Sequence, residues 1–236
     1  MVDKEKLQKE LDASGKKAPR KEEYNPLDSW KPKTELGKKV KRGKIKTIEE
    51  VMGQGKKILE SEIIDVVMPE MESDLLSIGQ SKGKFGGGKK SIWKQTQKKT
   101  KEGNKPKFAT LSVIGNKEGY FGMGHGKSKE TMPAREKAVR QAKLSLIKIK
   151  RGCGSWDCSC ETEHSLPFKV TGKSGAVEVS ILPAPKGTGL KAEQGIQKIL
   201  ELAGITDAYA KTTYRRTKLN LMFATFDALK KLSQFK

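Results

Sequence analysis

Five glycines, at 115, 119, 122, 124 and 126 in the stretch GNKEGYFGMGHGKSK (residues 115–129), set the tightest limit on what this chain can become. So dense a run without Cβ atoms is expected to be neither an ordinary helix nor an ordinary strand, but a loop that presents its backbone. Glycine permits positive φ and lets another group approach its N–H donors, which is how backbones cradle phosphate oxygens. Ahead of the stretch, residues 108–114 alternate, with Leu111 and Val113 on one side and Thr110 and Ser112 on the other, as a half-buried strand requires. Behind it, Ala134, Ala138, Ala142, Leu146 and Ile149 recur at helical spacing, with Ser128 or Thr131 to cap and Pro133 in the first turn, which predicts a helix over 131–150. Strand, basic glycine loop and helix N-terminus together make an anion-binding arrangement.

The anion is not a bound nucleotide. Gly126-Lys127-Ser128 copies the end of a P-loop, but the position that must hold the other glycine is Phe121, and Gly122 leaves the loop one residue short. Gly172-Lys173-Ser174 fails in the same way at Pro167, and the dinucleotide pattern is absent because the loop reads GxGxG.

Charge points to a larger polyanion. The 236 residues carry 49 Lys and Arg against 28 Asp and Glu, a net +21, far beyond what solubility needs. With 34% hydrophobic and 33% charged residues, part of the chain must lie outside any core. A membrane surface is the weaker candidate: the sequence has no long apolar run, no signal-peptide core and no basic amphipathic helix bearing Trp or Phe, so a cytoplasmic location without membrane partners is expected. The positive charge is concentrated. Lys82, Lys84, Lys89, Lys90, Lys94, Lys98, Lys99, Lys101, Lys105 and Lys107 face a single acid, Glu102, whereas residues 60–74 hold six acids and no base. A lysine run is ordinarily a solvated face. Here Gly83, Gly86, Gly87 and Gly88 sit among the lysines with Phe85 and Trp93, which favours an arm ordered by RNA.

The chain is α+β. Residues 1–56 are Lys/Glu-rich with Pro19, Pro26 and Pro32 and form a basic extension largely without its own core, with Trp30, Ile45 and Ile48 as anchors to the body or to a partner. Residues 57–150 form a first domain: a strand at 92–99, a hairpin loop at 100–106, a strand at 107–115, a short third strand at Tyr120 and Phe121, then the helix. This β-β-β-α order describes double-stranded RNA-binding modules, where loops and a helix end grip phosphates and 2′-hydroxyls. Residues 165–236 form a second unit. Phe168 and Val170 alternate, as do Val177, Val179 and Ile181; a helix carries Ala192, Ile196, Ile199, Leu200 and Ala203 and stops at Gly204. A basic strand at 207–217 leads to a last helix that Asn220 can cap and that turns Met222, Phe226, Leu229 and Leu232 inward.

All three cysteines fall in the connector 151–164, as Cys153-x4-Cys158-x-Cys160-x3-His164. Three thiols and an imidazole suit one tetrahedral structural zinc ion, and their clustering in an otherwise cysteine-free chain argues against a disulfide. The spacing is not that of a common zinc knuckle, so a loop whose cysteines are merely tolerated remains open.

The segments GYFGMGHGKSKE at 119–130, KRG at 150–152, PFKVTGK at 167–173, LPAPKGTG at 182–189, LAGI at 202–205 and ATFDAL at 224–229 resemble, in this order, the family of the fifth universal protein of the small ribosomal subunit, most closely its archaeal form. The resemblance spans about residues 58–232. It implies a double-stranded-RNA-binding-like first domain, a small α/β sandwich second, and a structural rather than enzymatic role near the messenger RNA entry pore. It also implies contact with ribosomal RNA and with the third, fourth and eighth small-subunit proteins. By position, the family's hairpin, which approaches the decoding region, falls on residues 100–107. Its glycine loop falls on Gly119, Gly122, Gly124, His125, Gly126 and Lys127, with Lys129 just beyond, and its proline-glycine loop on 183–189 with Lys186. The Lys/Gly insertion at 81–90 departs from the family pattern, and the family fold does not itself demand a metal. A free-standing structured-RNA-binding protein or RNA chaperone is the alternative, sharing the charge and the first domain without needing the interface loops of the second. An enzyme is disfavoured: His125 and His164 are the only histidines, and His125 in a glycine loop is expected to be an RNA contact or a spacer.

Overall fold

The computed structural model describes residues 30–81, 90–160, 162–213 and 217–234. Internal contacts divide the chain into Met1–Lys31 and Pro32–Lys236, and the architecture below is that of the second unit. It begins with three short helices, α1 (Glu35–Lys41), α2 (Ile48–Gly53) and α3 (Glu62–Val67). Thr34 caps α1 by accepting from the Gly37 N–H at 3.1 Å, and the Glu60 carboxylate accepts from the Lys33 and Thr34 N–H groups at 2.9 and 2.6 Å. Ile45 and Ile48 are buried as expected, but so are Leu36, Val40 and Val51. The segment 32–56 therefore belongs to the body. Its apolar residues are too thinly spread among lysines for a helical stripe to be read in sequence. Residues 1–29 of the expected extension lie outside the described residues.

The first sheet is built on one long strand. β1 (Glu72–Leu76) and β2 (Lys94–Thr100) both lie antiparallel to β3 (Gly103–Gly115), β4 (Tyr120–Ser128) pairs along its other edge, and the short β5 (Ile147–Lys148) follows β4. The glycine-rich stretch is thus mostly strand. Gly122, Gly124 and Gly126 lie opposite Ile114, Ser112 and Thr110, on the face covered by helix α4 (Thr131–Leu144). A Cβ on any of the three would run into the backbone of α4: at Gly122 into Ala142, at Gly124 into Ala138 and Ala142, at Gly126 into Ala134 and Ala138. Ala134, Ala138 and Ala142 are each fully buried. The alanines of the helix and the glycines of the strand form one interface in which backbone touches backbone. The helix ends at Leu144, not 150: the Ser145 hydroxyl donates to the Met123 carbonyl at 2.5 Å, and Ile147 pairs with Phe121 across β5 and β4.

The second sheet has the order β6 (Val170–Ser174), β7 (Val177–Pro183), β9 (Ala208–Thr212) and β8 (Leu190–Lys191), the last pair parallel. Helices α5 (Gln194–Leu202) and α6 (Lys218–Gln234) pack with it. At the end of α5, Ile205 N–H donates to Leu200 C=O and Gly204 N–H to Glu201 C=O, a left-handed termination that the φ of +81° at Gly204 permits. α6 starts at Lys218, so Asn220 lies inside it rather than capping it. One apolar cluster joins the two sheets. Leu111, Val113, Phe121 and Met123, on the face of the first sheet opposite α4, share it with Val170, Val179 and Ile181 of the second and with Ile199, Leu200 and Leu229 of α5 and α6. The Phe121 and Phe226 rings meet at 5.4 Å between centroids.

Candidate nucleic-acid interface and Cys/His cluster

β2 is exposed along nearly its whole length, and the first five residues of β3 pair with β2 alone, because β4 joins β3 only from Phe108 onward. The result is a two-stranded ribbon projecting beyond the sheet. The expected hairpin loop at 100–107 is mostly strand: Thr100 pairs with Gly103, the turn is Lys101–Glu102, and Gly103 supplies the required φ of +107°. In this register Lys98 lies directly across from Lys105, and Lys107 and Lys94 fall on the same side of the ribbon. Opposed like charges destabilise an isolated pair of strands. Glu102 forms an ion pair with Lys105 and relieves only part of the repulsion. Lys99 projects from the other side of the ribbon.

At the base of the ribbon, Lys107, Lys127 and Lys129 gather with Lys137 around an open concavity of about 540 Å³ at the start of α4. The helix N-cap, Glu130, makes no side-chain capping bond, so the first turn faces these lysines with its donors toward the surface. Lys137 is absent from the sequence-based set; its spacing of four from Pro133, one turn along the exposed side of α4, is the signal that finds it.

The other expected RNA contacts are placed elsewhere. Gly122, Gly124 and Gly126 are buried beneath α4 and cannot offer their backbone to phosphate; their task is close packing. Gly119 lies in the turn at the far end of β3, about 40 Å from the ribbon tip at the usual strand rise, and its carbonyl accepts from Ile149 N–H at 2.7 Å. His125 is on the strand face opposite the three glycines and half-buried, its ring set edge-on to that of Phe223 with the centroids 6.4 Å apart. Burial, reinforced by Lys127 and Lys94, pushes its imidazole below the ordinary value. Lys90 sits beside Lys218; burial first and that neighbouring ammonium second lower its pKa. Lys82, Lys84 and Lys89 lie outside the described residues.

Lys186 belongs to a second region. It lines a cleft of about 870 Å³ with Lys117, Arg151, Glu163 and His164. Here the local spacing read in sequence becomes a cluster: the ligand atoms of Cys153, Cys158, Cys160 and His164 all lie within 4.8 Å of one another. His164 Nε2 is 3.1 Å from Cys160 Sγ and 3.8 Å from Cys158 Sγ, and the two sulfurs are 2.8 Å apart. A tetrahedral site with Zn–S bonds of about 2.3 Å spaces its sulfurs about 3.7 Å apart, so a small opening of the Cys158–Cys160 pair yields a Cys3His site able to hold a metal ion. Hydrogen bonds from Cys160, then from the Lys186 and Cys160 N–H groups, lower the Cys158 thiol to about 6. Asp207, which the sequence does not single out, holds the other face of His164, with Nδ1 to Oδ2 at 2.8 Å. Burial alone raises its pKa, but bonds from the Gly189 N–H, the Thr206 hydroxyl and His164 outweigh that and hold the carboxyl below its usual range.

A lysine-lined ribbon projecting from a helix-backed sheet, coupled through a Cys/His connector to a second helix-backed sheet, defines a nucleic-acid-binding protein of α+β class. Among the described residues no helix is long and apolar enough to cross a membrane. Residues 92–150 match the model of the ribosomal protein S5 N-terminal domain, and residues 172–236 that of its C-terminal domain. The small ribosomal subunit protein uS5 of Nanoarchaeum equitans is 46% identical over 208 residues, covering 88% of this chain and 89% of the relative. Those of Pyrobaculum calidifontis and Methanothermobacter thermautotrophicus are 43% and 42% identical over 211 residues, covering 89% of this chain and 97% and 91% of the relatives. The chain belongs to the ribosomal protein S5 family, in its archaeal form.

Proposed function

We propose that this protein is a structural, non-enzymatic constituent of the cytoplasmic small ribosomal subunit and that it grips ribosomal RNA with the β2–β3 ribbon and the lysine concavity at the start of α4. The observation that carries the reading is the pairing of Lys98 with Lys105 on a ribbon that, among the described residues, no other element covers. Such a pair opposes its own strand pairing and is relieved when a polyanion lies along it. The tip reaches RNA near the decoding region, messenger RNA passes nearby, and the third, fourth and eighth small-subunit proteins are its neighbours; family resemblance supports these assignments. Cys153, Cys158, Cys160 and His164 hold one structural zinc ion, a reading supported by the convergence of their ligand atoms.

The test is the salt dependence of binding to small-subunit RNA. Each neutralised phosphate contributes about −0.9 to the log–log slope on duplex DNA, so replacing Lys98, Lys99, Lys101 and Lys105 with Ala flattens the slope by up to about 3 to 4 if each meets a phosphate. An unchanged slope means these lysines are only solvated, and the reading of the ribbon falls.

A further inference from the structure

We infer that Asp207 is the positioning residue of the zinc centre and that, through it, the ion fixes the loop between β7 and β8 and the start of β9; this rests on the zinc reading above. Asp207 and His164 are both buried, with 4% and 7% of their surface exposed, and His164 is the ion-pair partner that Asp207 has among the described residues. A buried carboxylate without a cation is costly, and buried charges are ordinarily paired or tied to a metal. With Oδ2 accepting at Nδ1, the imidazole carries its proton on that nitrogen. Nε2 is left with a lone pair directed at the two sulfurs, the tautomer and orientation a metal ligand needs. A neutral imidazole between thiols does not require an anion behind it. An imidazole polarised by a dication is strengthened by one, which is why metal-bound histidines so often rest on a carboxylate.

The same carboxylate reaches the neighbouring loop. Oδ1 accepts from Gly189 N–H at 2.7 Å, and Oδ2 also accepts from the Thr206 hydroxyl at 3.0 Å. The His164 carbonyl accepts from the Thr206 and Asp207 N–H groups at 2.9 and 3.2 Å. Gly189 is the last residue before β8. The loop is therefore tied at Gly189 to the carboxylate that stands behind a ligand imidazole. Loss of the ion removes the dication that strengthens the bond between imidazole and carboxylate, and loosens the attachment of the loop at Gly189.

The experiment uses the full chain with its cysteines reduced. Native mass spectrometry first asks whether one zinc is bound; a mass equal to the bare chain removes the zinc reading and this inference with it. With zinc bound, competition against a chromophoric chelator compares wild type with Asp207→Asn, which keeps the shape and removes the charge. The expected loss of zinc affinity is about 10- to 100-fold. In a His164→Cys background there is no imidazole to orient, so Asp207→Asn then changes affinity by less than about threefold. An equal loss in both backgrounds, or none in either, overturns the positioning role while leaving the zinc site standing. Should Asp207→Asn not fold, the wild type decides: amide exchange at Gly189 accelerates when the ion is stripped, and unchanged protection there overturns the link to the loop.

Discussion

Replacing Gly124 by Ala tests whether the glycine column of β4 exists to seat α4. The new Cβ would stand 2.7 Å from the Gln141 carbonyl carbon and closer still to Ala138 O and Ala142 N, all of them helix backbone. No rotamer change relieves such a contact, so the helix must retreat by roughly an ångström, and the contacts of Ala134 and Ala142 with Gly126 and Gly122 loosen with it. Overpacking of this kind costs about 1–3 kcal/mol. Against it stands a gain of about 0.5–1 kcal/mol from restricting the unfolded chain. Because the opposing atoms are backbone, the net expected is a destabilisation of about 2 kcal/mol, a fall in Tm of about 4–8 °C for a chain of this size. Urea unfolding followed by far-UV circular dichroism measures it. Gly53→Ala is the control: Gly53 ends α2 with no heavy atom within 4 Å of its would-be Cβ, and here Ala should stabilise by about 0.5–1 kcal/mol. If Gly124→Ala is as stable as wild type, the glycines are not there for packing and the account of this interface is wrong.

Two further outcomes are expected. Replacing residues 99–104 by Asn-Gly joins Lys98 to Lys105 through a two-residue turn in the existing register and removes no buried side chain, so the isolated protein keeps its stability while small subunits assembled with it miscode at an altered rate; normal subunit yield with unaltered accuracy counts against a role for the tip. His125 has a folded pKa below its ordinary 6.5, so the unfolded chain takes up the proton first; its contribution to stability is full above 6.5 and is lost as pH falls from there toward the folded value. The urea midpoint of wild type should therefore drop more steeply on acidification than that of His125→Gln, and parallel curves would show that burial of this imidazole costs nothing.

The misreading of residues 119–127 has a physical origin. Glycine read alone signals backbone freedom, and Lys127 directly after Gly126 completes the image of an anion loop. What decides the structure is a relation between two segments: glycines at every second position, 122, 124 and 126, and alanines at every fourth, 134, 138 and 142, each the period of its own element. Local signals suffice within one segment, as at the stop of α5 at Gly204 and the four residues of the Cys/His cluster; the alternation of 108–114 does mark a strand, but one buried on both faces, with Thr110 and Ser112 beneath α4 rather than toward solvent. They fail where the partner is remote. Asp207 lies 43 positions from His164, and β1 is an acidic pentapeptide that becomes a strand only because β3 offers it an edge.

The same relation recurs in the second unit. A Cβ on Gly172 of β6 would strike the backbone of α6 at Ala224 and Ala228, two alanines four apart. Both sheets are thus backed by a helix laid almost onto their backbone, and in each the polar groups of the glycines are consumed by the strand ladder. The backbone of Gly122, Gly124, Gly126 and Gly172 then has no free face to offer an anion. On the function proposed above, the anion is met by what the helices leave uncovered: the ribbon of β2 and β3 and the lysines at the open end of α4, Lys127 and Lys129 among them. Close packing beneath the sheet and exposed charge beyond it are complementary, because a ribbon with so few buried contacts is held in place only if the strand from which it extends is clamped firmly elsewhere.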